Sequence, residues 1–220
     1  MVFQYAYHLE KNSYMHYITH ENLSDEIKIR NSRFISISYR TDDLKQVKSI
    51  LSQMNNRFSD ANHICYAYRI CNVKQLDLFY NPEIIDYSTD DGEPSGTAGR
   101  QILNVMKNKS LVNRIIFVIR YFGGIKLGIK GLIDAYRQSA ELVVSDIKLI
   151  KWVLYKDLVI KTNYEYHKFL EQILINHEGE IVNSEFSDTI IMSVKIPFKE
   201  LKMFKKNINE KSKGTIQIIG

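Results

Sequence analysis

The alternation of apolar and polar residues predicts five strands in the first two thirds of the chain. Apolar residues occupy every second position, or run together, in five short segments bounded by turn-forming residues. The first two segments form a hairpin around Asn31 and Ser32. The predicted strands are Ile27–Arg30, Arg33–Tyr39, His63–Cys71, Ile84–Thr89 and Arg114–Tyr121.

Helical spacing of apolar residues predicts three helices in the same part of the chain. The first opens at Asp42 and Asp43, and the third covers Leu132–Val144. The second follows a loop over Gly92–Gly99, where the hydroxyl of Thr97 can cap its first turn. Strands come first and then alternate with helices, so we predict an α+β domain with its helices on one face of the sheet.

The pattern restarts near residue 148 and predicts a second domain. Strands and helices follow in the order βαββαβ, which is the ferredoxin-like arrangement. Thr162 or Asn163 can cap the first of these helices, and Pro197 begins the second, where proline is tolerated. The predicted domains are residues 1–147 and 148–220. The predicted elements of the second domain are strands Tyr155–Lys161, Glu180–Phe186, Thr189–Ile196 and Thr215–Ile219, with helices up to His177 and over Phe198–Asn209.

The charge of the chain favours a polyanionic partner. Its 220 residues carry a formal net charge of +5, and the sequence pI is about 9.0. No acidic residue lies between Ser95 and Ile133, although a solvated basic face is the simpler explanation for any single lysine there. The basic residues of this stretch are Arg100, Lys107, Lys109, Arg114, Arg120, Lys126 and Lys130.

Cysteine content and hydropathy indicate a cytoplasmic protein. Cys65 and Cys71 are too few for a metal framework and do not form a CxxC motif. The N-terminus lacks the basic and then apolar pattern of a signal peptide. The apolar run Ile115–Ile119 is far too short to cross a bilayer. We therefore expect no membrane segment, no metal and no cofactor.

Glycines concentrate in two loops that each precede a helical pattern. Seven of the ten glycines fall between Asp90 and Gly131. A helix N-terminus offers unpaired N–H groups and a partial positive charge, which suit an anion. We predict that a phosphate-like anion binds where the two loops meet. The residues expected to hold it are Gly96, Thr97, Gly99, Gly123, Gly124 and Lys126.

The second loop does not have the spacing of a nucleotide-binding loop. Gly123 and Gly128 have the four-residue gap of a P-loop, but Ile129 stands where lysine is required. Lys130 stands where that motif needs a hydroxyl for magnesium. Gly-x-Gly-x-x-Gly is absent from both loops, which argues against a dinucleotide site.

The first loop resembles a catalytic motif only superficially. Ser95 lies one position too late for the nucleophile elbow Gly-x-Ser-x-Gly and more simply bonds to local backbone. His63 could act as its base, although a histidine on a strand is more often structural. We therefore expect binding without catalysis.

The acidic residues of the first loop, Asp90, Asp91 and Glu93, allow three interpretations. Their carboxylates could bind a hard cation, or accept hydrogen bonds from their own backbone. They could also pair with basic residues and hold the two glycine loops together, which we favour over a metal site. The basic candidates for that pairing are Arg100, Arg120 and Lys126.

Two long motifs at a defined separation resemble those of the IMPACT/YigZ family. The first is Asp90-Asp-Gly-Glu-Pro-Ser-Gly-Thr-Ala-Gly99, and the second is Arg120-Tyr-Phe-Gly-Gly-Ile-Lys-Leu-Gly128, followed by Ala135 and Tyr136. Ser32-Arg33-Phe34 and His63-Ile-Cys-Tyr-Ala-Tyr-Arg69 resemble the first strands of that family. The likeness implies a bacterial two-domain member, whose first domain is like the second domain of a small-subunit ribosomal protein and whose second domain is ferredoxin-like.

The resemblance also implies a role in the regulation of translation, because eukaryotic relatives act there, including in the response to starvation. The expected partner is RNA, the ribosome or a translation regulator, with Tyr66, Tyr68, Tyr121 and Phe122 available to stack on bases. The alternative is an enzyme or sensor for a small phosphorylated ligand. The residues expected to bind the anion or partner are His63, Asp90, Asp91, Glu93, Ser95, Gly96, Thr97, Gly99, Arg100, Arg120, Tyr121, Gly123, Gly124, Lys126 and Gly128.

Overall fold

The computed structural model describes residues 17–76, 82–145 and 148–219. These residues form two compact units that divide between Trp152 and Val153. Residues 146 and 147, next to the boundary that the sequence predicts, lie outside the described part. None of the described helices is long and apolar enough to cross a membrane.

The first unit is built on a five-stranded sheet in which every neighbouring pair is antiparallel, in the order β2-β3-β6-β4-β5. A separate two-stranded ladder joins β1 to β7. The strands are β1 (Tyr17–Ile18), β2 (Leu23–Ile29), β3 (Ser32–Arg40), β4 (His63–Leu76), β5 (Pro82–Thr89), β6 (Arg114–Tyr121) and β7 (Ile150–Lys151). The helices are α1 (Leu44–Arg57), α2 (Gly99–Asn108) and α3 (Gly128–Leu142).

Helices cover both faces of this sheet, so the prediction of helices on one face is wrong. On one face, Ile116 and Val118 of β6 belong to the same apolar cluster as residues of α2 and α3. On the other face, Ile115 and Phe117 pack in a second cluster with Val47 of α1. The cause lies in β6, whose uninterrupted apolar run occupies the centre of the sheet and has no polar side to expose to water.

Local signals place most of these elements correctly. The carboxylate of Asp43 caps α1, accepting hydrogen bonds from the N–H groups of Lys45 and Gln46 at 2.7 and 2.8 Å. The first hairpin turns one residue earlier than predicted, because Arg30 and Asn31 both have positive φ, as the two central residues of a tight hairpin turn require.

The second unit has the predicted βαββαβ order, with the antiparallel strand order β11-β8-β10-β9. A single apolar cluster lies between this sheet and its two helices. The predicted helix starts are wrong in detail. Neither Thr162 nor Asn163 caps the first helix with its side chain, and Pro197 is the last residue of a strand rather than the first of a helix. A short 3₁₀ turn precedes each of the two helices. The elements are β8 (Tyr155–Thr162), α4 (His167–Asn176), β9 (Glu180–Phe186), β10 (Ile190–Pro197), α5 (Leu201–Ser212) and β11 (Gln217–Ile218).

Candidate functional site

The N-terminus of α2 is occupied by a carboxylate from the protein itself. Asp90 accepts hydrogen bonds from the backbone N–H groups of Gly96, Ala98 and Gly99 at 2.8, 2.9 and 2.8 Å. The predicted cap, Thr97, instead donates its hydroxyl proton to the carbonyl of Pro94. A charged acceptor that satisfies three amides stabilises the loop and the helix start together. These amides are therefore already paired.

Backbone packing explains two of the loop glycines. A Cβ atom on Gly99 would collide with the backbone of Thr89, and one on Gly123 would collide with the backbone of Asn31. Both positions hold two chain segments too close together for any side chain. The close approach that these glycines permit is thus to the protein's own backbone.

The acidic loop is fastened by two kinds of contact. Asp91 accepts a hydrogen bond from the backbone N–H of Ile64, so it serves the backbone as Asp90 does. Glu93 is buried and forms an ion pair with Arg120, with 2.5 Å between Oε1 and Nη1. The pairing between acidic loop and basic residue that the sequence suggests is therefore present for Glu93 and Arg120. Among the described residues, no group of histidine, cysteine and carboxylate side chains has the arrangement of a metal site.

The Glu93 carboxylate also organises a buried polar cluster. The hydroxyl of Tyr136 donates to Oε1 of Glu93 at 2.9 Å, and Nε2 of His63 lies 3.8 Å from the same oxygen. Burial, together with Cys65 and the Glu93 carboxylate, raises the pKa of Tyr136 well above its ordinary value. Burial likewise raises the pKa of the Cys65 thiol, which donates to the carbonyl of Asp90 at 3.0 Å. Cys65 therefore stays protonated and is a poor nucleophile.

A cavity of about 410 Å³ opens beside this cluster. Both glycine loops contribute to its wall: the first through Glu93 and Pro94, the second through Phe122 and Lys126. Apolar side chains make up much of the remaining wall. The lining residues are Asn62, His63, Glu93, Pro94, Arg120, Phe122, Lys126, Leu127, Gly128, Ile129 and Leu132.

The N-terminus of α3 lies at this cavity and differs from that of α2. Gly128 and Ile129 line the cavity, and no side chain among the described residues caps the helix at Leu127. Its first turn contains no acidic residue. The helix begins at Gly128, four residues before the predicted start, and Gly128 has a φ of +72°, which a side chain would disfavour. The positive end of this helix and Lys126 therefore favour an anion at the cavity.

The cavity gathers some of the predicted site residues and leaves others elsewhere. Those that line it are His63, Glu93, Arg120, Lys126 and Gly128. The residues outside its lining are Asp90, Asp91, Ser95, Gly96, Thr97, Gly99, Arg100, Tyr121, Gly123 and Gly124. Six lining residues were not among the residues expected to bind the anion or partner, although the i, i+3 spacing of Ile129 and Leu132 marks one face of α3. They are Asn62, Pro94, Phe122, Leu127, Ile129 and Leu132.

The aromatic residues expected to act together lie on different faces of the sheet. Phe122 lies at the cavity, whereas Tyr66, Tyr68 and Tyr121 pack with the apolar cluster on the α1 side. Tyr121 lies 4.4 Å from the guanidinium of Arg33 and donates its hydroxyl proton to Asp60 at 2.8 Å. Successive side chains along β6 point to opposite faces of the sheet, so Arg120 faces the cavity and Tyr121 faces the α1 side.

The basic stretch is also divided by the fold. Arg114 is fully buried, where its guanidinium donates to Ser38 and to the carbonyl of Thr19. Burial lowers the pKa of Arg114 to about 10. Lys107 forms an ion pair with Asp86. Lys126, at the cavity, and Lys130 remain exposed on the second glycine loop and the first turn of α3.

The comparisons with known proteins include a family model that matches within the first unit and relatives that match most of the chain. The family model described as the Impact N-terminal domain matches residues 30–144. An IMPACT family member of Haemophilus influenzae is 29% identical over 198 residues, which is 88% of this chain and 90% of that protein. The IMPACT family member YigZ of Escherichia coli K12 is 26% identical over 192 residues, which is 87% of this chain and 91% of that protein.

One solved structure has the same fold over nearly the whole chain. It is the crystal structure of a hypothetical protein and superimposes with a TM-score of 0.58 at 24% sequence identity. The match covers 92% of this chain and 95% of that one.

Proposed function

Because the chain belongs to the IMPACT family, we propose that it is a non-enzymatic, cytoplasmic protein that acts in the regulation of translation. In this proposal it binds RNA, the ribosome or a translation factor through the cavity and the second glycine loop. Membership of the family supports a role in the regulation of translation. The surface of the first unit supports binding through the cavity and the second glycine loop.

The observation that carries the proposal is the surface around Lys126. Phe122, Ile125 and Ile129 are 46%, 47% and 66% exposed, although each is a large apolar side chain. Apolar side chains grouped on a surface are typical of interaction sites. Lys126 lies among them in sequence, beside the open N-terminus of α3. The surface thus combines stacking and apolar contacts with attraction for phosphate or another anion.

The polar groups at the cavity support binding rather than chemistry. Nδ1 of His63 lies 2.7 Å from the carbonyl of Asp91, and the carboxylate of Glu93 is committed to Arg120 and Tyr136. Ser95 does not line the cavity. His63 and Glu93 are thus engaged in holding the loops, and the Ser95 hydroxyl lies outside the lining of the cavity.

The test removes two exposed lysines from the proposed surface. The variant Lys126→Ala/Lys130→Ala is compared with Lys45→Ala/Lys48→Ala, which removes the same charge from exposed positions on α1. Binding of the intact chain to a fluorescein-labelled 20-nucleotide uridine RNA, U20, is measured by anisotropy across a salt series. Co-sedimentation with ribosomes tests the second partner, and a translation factor is sought by cross-linking in extracts at low salt.

For RNA we expect the negative slope of log K against log salt to become shallower by about 1.4, since each lost phosphate contact on a single strand contributes about 0.7. Phe122→Ala should weaken binding at every salt concentration by removing a stacking surface. Equal losses in the α1 control, or full binding of all three partners by the loop variant, would contradict the proposal. Arg120 is unsuitable for substitution, because its loss would leave the Glu93 carboxylate buried without its partner.

The size of the cavity favours a second candidate, a sensor for a small phosphorylated ligand. A volume of about 410 Å³ falls within the range of small-molecule sites. Nucleoside monophosphates and sugar phosphates are tested by their effect on the thermal midpoint. A saturable stabilisation that Lys126→Ala abolishes, together with no RNA or ribosome binding, would favour this candidate. Turnover of such a ligand would instead indicate an enzyme.

A further inference from the structure

Helix α5 of the second unit carries a concentration of lysine that the unit's overall composition does not predict. Residues 199–213 contain six lysines and two glutamates, a net charge of +4. Residues 153–194 of the same unit contain three lysines and seven acidic residues, a net charge of −4. Soluble surfaces usually intersperse the two signs. The lysines of the segment are Lys199, Lys202, Lys205, Lys206, Lys211 and Lys213.

The helix turns these lysines toward solvent. Phe204, Ile208 and Ser212 recur every four residues and are buried on the inner face. Lys202, Lys205 and Lys206 are exposed on the other side. We call these three lysines the α5 basic face. The ion pairs among the described residues engage Lys206 only at 3.8 Å, with Glu210, and do not include Lys202 or Lys205.

Contacts at the start of the helix hold this face in place. His177 is nearly buried and bridges two positions of the segment. Its Nδ1 lies 2.9 Å from a carboxylate oxygen of Glu200, and its Nε2 lies 3.0 Å from the side-chain amide of Asn207. Its ring also packs edge-on against Phe204. A fixed helix keeps its lysines arrayed before any partner binds, which lowers the cost of ordering them.

We propose that the α5 basic face binds the phosphate backbone of RNA, as a second contact surface separate from the cavity of the first unit. Lys202 and Lys206 are one turn apart, about 6 Å along the axis at about 1.5 Å per residue. Lysine binds phosphate as a point charge and presents no fork for base edges, so the contact is independent of sequence. The choice of RNA as the polyanion rests on the proposed function.

The chemistry of the face disfavours other partners. A helix that lies on a membrane needs a free apolar face, and here Phe204 and Ile208 are buried in the core of the unit. Protein interfaces rely on aromatic, aliphatic or arginine anchors. The exposed part of α5 offers one large apolar side chain, Met203, among its lysines.

The test compares two triple variants of the full chain that remove the same charge. Lys202→Gln/Lys205→Gln/Lys206→Gln removes the α5 basic face. Lys156→Gln/Lys161→Gln/Lys168→Gln removes three exposed lysines from the acidic part of the same unit. Circular dichroism and thermal midpoints establish that both variants are folded. The probes are U20 RNA across a salt series and vesicles of phosphatidylcholine with 30% phosphatidylserine.

We expect the negative slope of log K against log salt for U20 to be shallower by about 2 in the α5 variant, from three lost contacts of about 0.7 each. The control variant should keep the slope of the unmodified chain. Equal effects of both variants, an unchanged slope in the α5 variant, or lysine-dependent binding to vesicles in place of RNA would overturn the proposal.

The Lys126→Ala/Lys130→Ala variant separates this proposal from the function proposed above. Loss of U20 binding in that variant alone would leave the cavity as the RNA site and refute the α5 face. Loss in the α5 variant alone would support the α5 face and refute RNA binding at the cavity.

Discussion

Removing the carboxylate of Asp90 should destabilise the first unit more than the loss of any exposed acid. Asp90 accepts three backbone hydrogen bonds, from Gly96, Ala98 and Gly99. A hydrogen bond to a charged group contributes about 1.5–3 kcal/mol, and a buried amide left unpaired costs about 1–3 kcal/mol. The three bonds share one acceptor, so their losses do not add fully. We expect Asp90→Ala to lower the free energy of unfolding by about 3–5 kcal/mol.

Asp90→Asn tests the role of the charge separately from the shape. The amide keeps one acceptor oxygen for Ala98 and Gly99 but turns an NH₂ group toward the N–H of Gly96. We expect a loss of about 2 kcal/mol, between the unmodified chain and the alanine variant. The measurement is urea unfolding at pH 7 followed by far-UV circular dichroism. Asp134→Asn, which weakens only an exposed ion pair with Arg137, should change stability by less than about 0.5 kcal/mol.

An added anion should partly replace the missing carboxylate. Formate or phosphate should raise the unfolding midpoint of Asp90→Ala more than that of the unmodified chain, since the freed N–H groups of α2 then resemble an ordinary anion site. A loss below about 0.5 kcal/mol in Asp90→Ala would refute the assignment of Asp90 as the cap. Equal stabilisation of both chains by the anion would refute the idea that Asp90→Ala frees N–H groups of α2 for an anion.

Three further predictions follow from other features. In urea unfolding, Gly123→Ala should lower the free energy of unfolding by about 3 kcal/mol, because the new Cβ would collide with backbone. Gly124→Ala should lower it by only about 1–2 kcal/mol, because the space there is open and only the φ of +84° is unfavourable. Burial raises the pKa of Tyr66 to about 12 in the folded chain. The stability that this shift contributes is complete below the unfolded pKa near 10 and is lost as pH rises through 12. Tyr66→Phe should therefore reduce the loss of stability at alkaline pH, measured by unfolding curves. We propose that the two units fold independently, so limited proteolysis should cut between Trp152 and Tyr155 and release two folded fragments; fragments that unfold on release would contradict this.

The two glycine loops illustrate how similar sequence features acquire different roles. Both precede a helix and both are rich in glycine, so the sequence predicts one anion site made from both. In the structure, Asp90 occupies the N-terminus of α2, whereas none of the described side chains caps the N-terminus of α3. The contribution of the first loop to the cavity comes from Glu93 and Pro94 rather than from its glycines.

Long-range pairing explains the residues that the sequence analysis assigned incorrectly. Thr97 is the local candidate for the cap of α2, but a carboxylate eight residues before Ala98 reaches the same amides with full charge. For the acidic loop the sequence left Arg100, Arg120 and Lys126 as candidate partners, and the fold pairs Glu93 with Arg120, 27 positions away. Spacing along the chain does not select which distant group fills a helix end, or which of several candidate cations pairs with a buried carboxylate.

The sequence alone determined the order of the main strands and helices apart from β1 and β7, the hairpin of β2 and β3, the start of α1 at Asp42 and Asp43, the ferredoxin-like second unit and the family. These depend on periodic burial, on turn chemistry and on motifs, all of which are local. The tertiary structure alone decided that helices cover both faces of the first sheet and that Tyr121 and Arg120 face opposite ways. It also decided which helix N-terminus remains open. Those outcomes depend on which strand takes the centre of the sheet and on which charges meet after folding, and a one-dimensional pattern specifies neither.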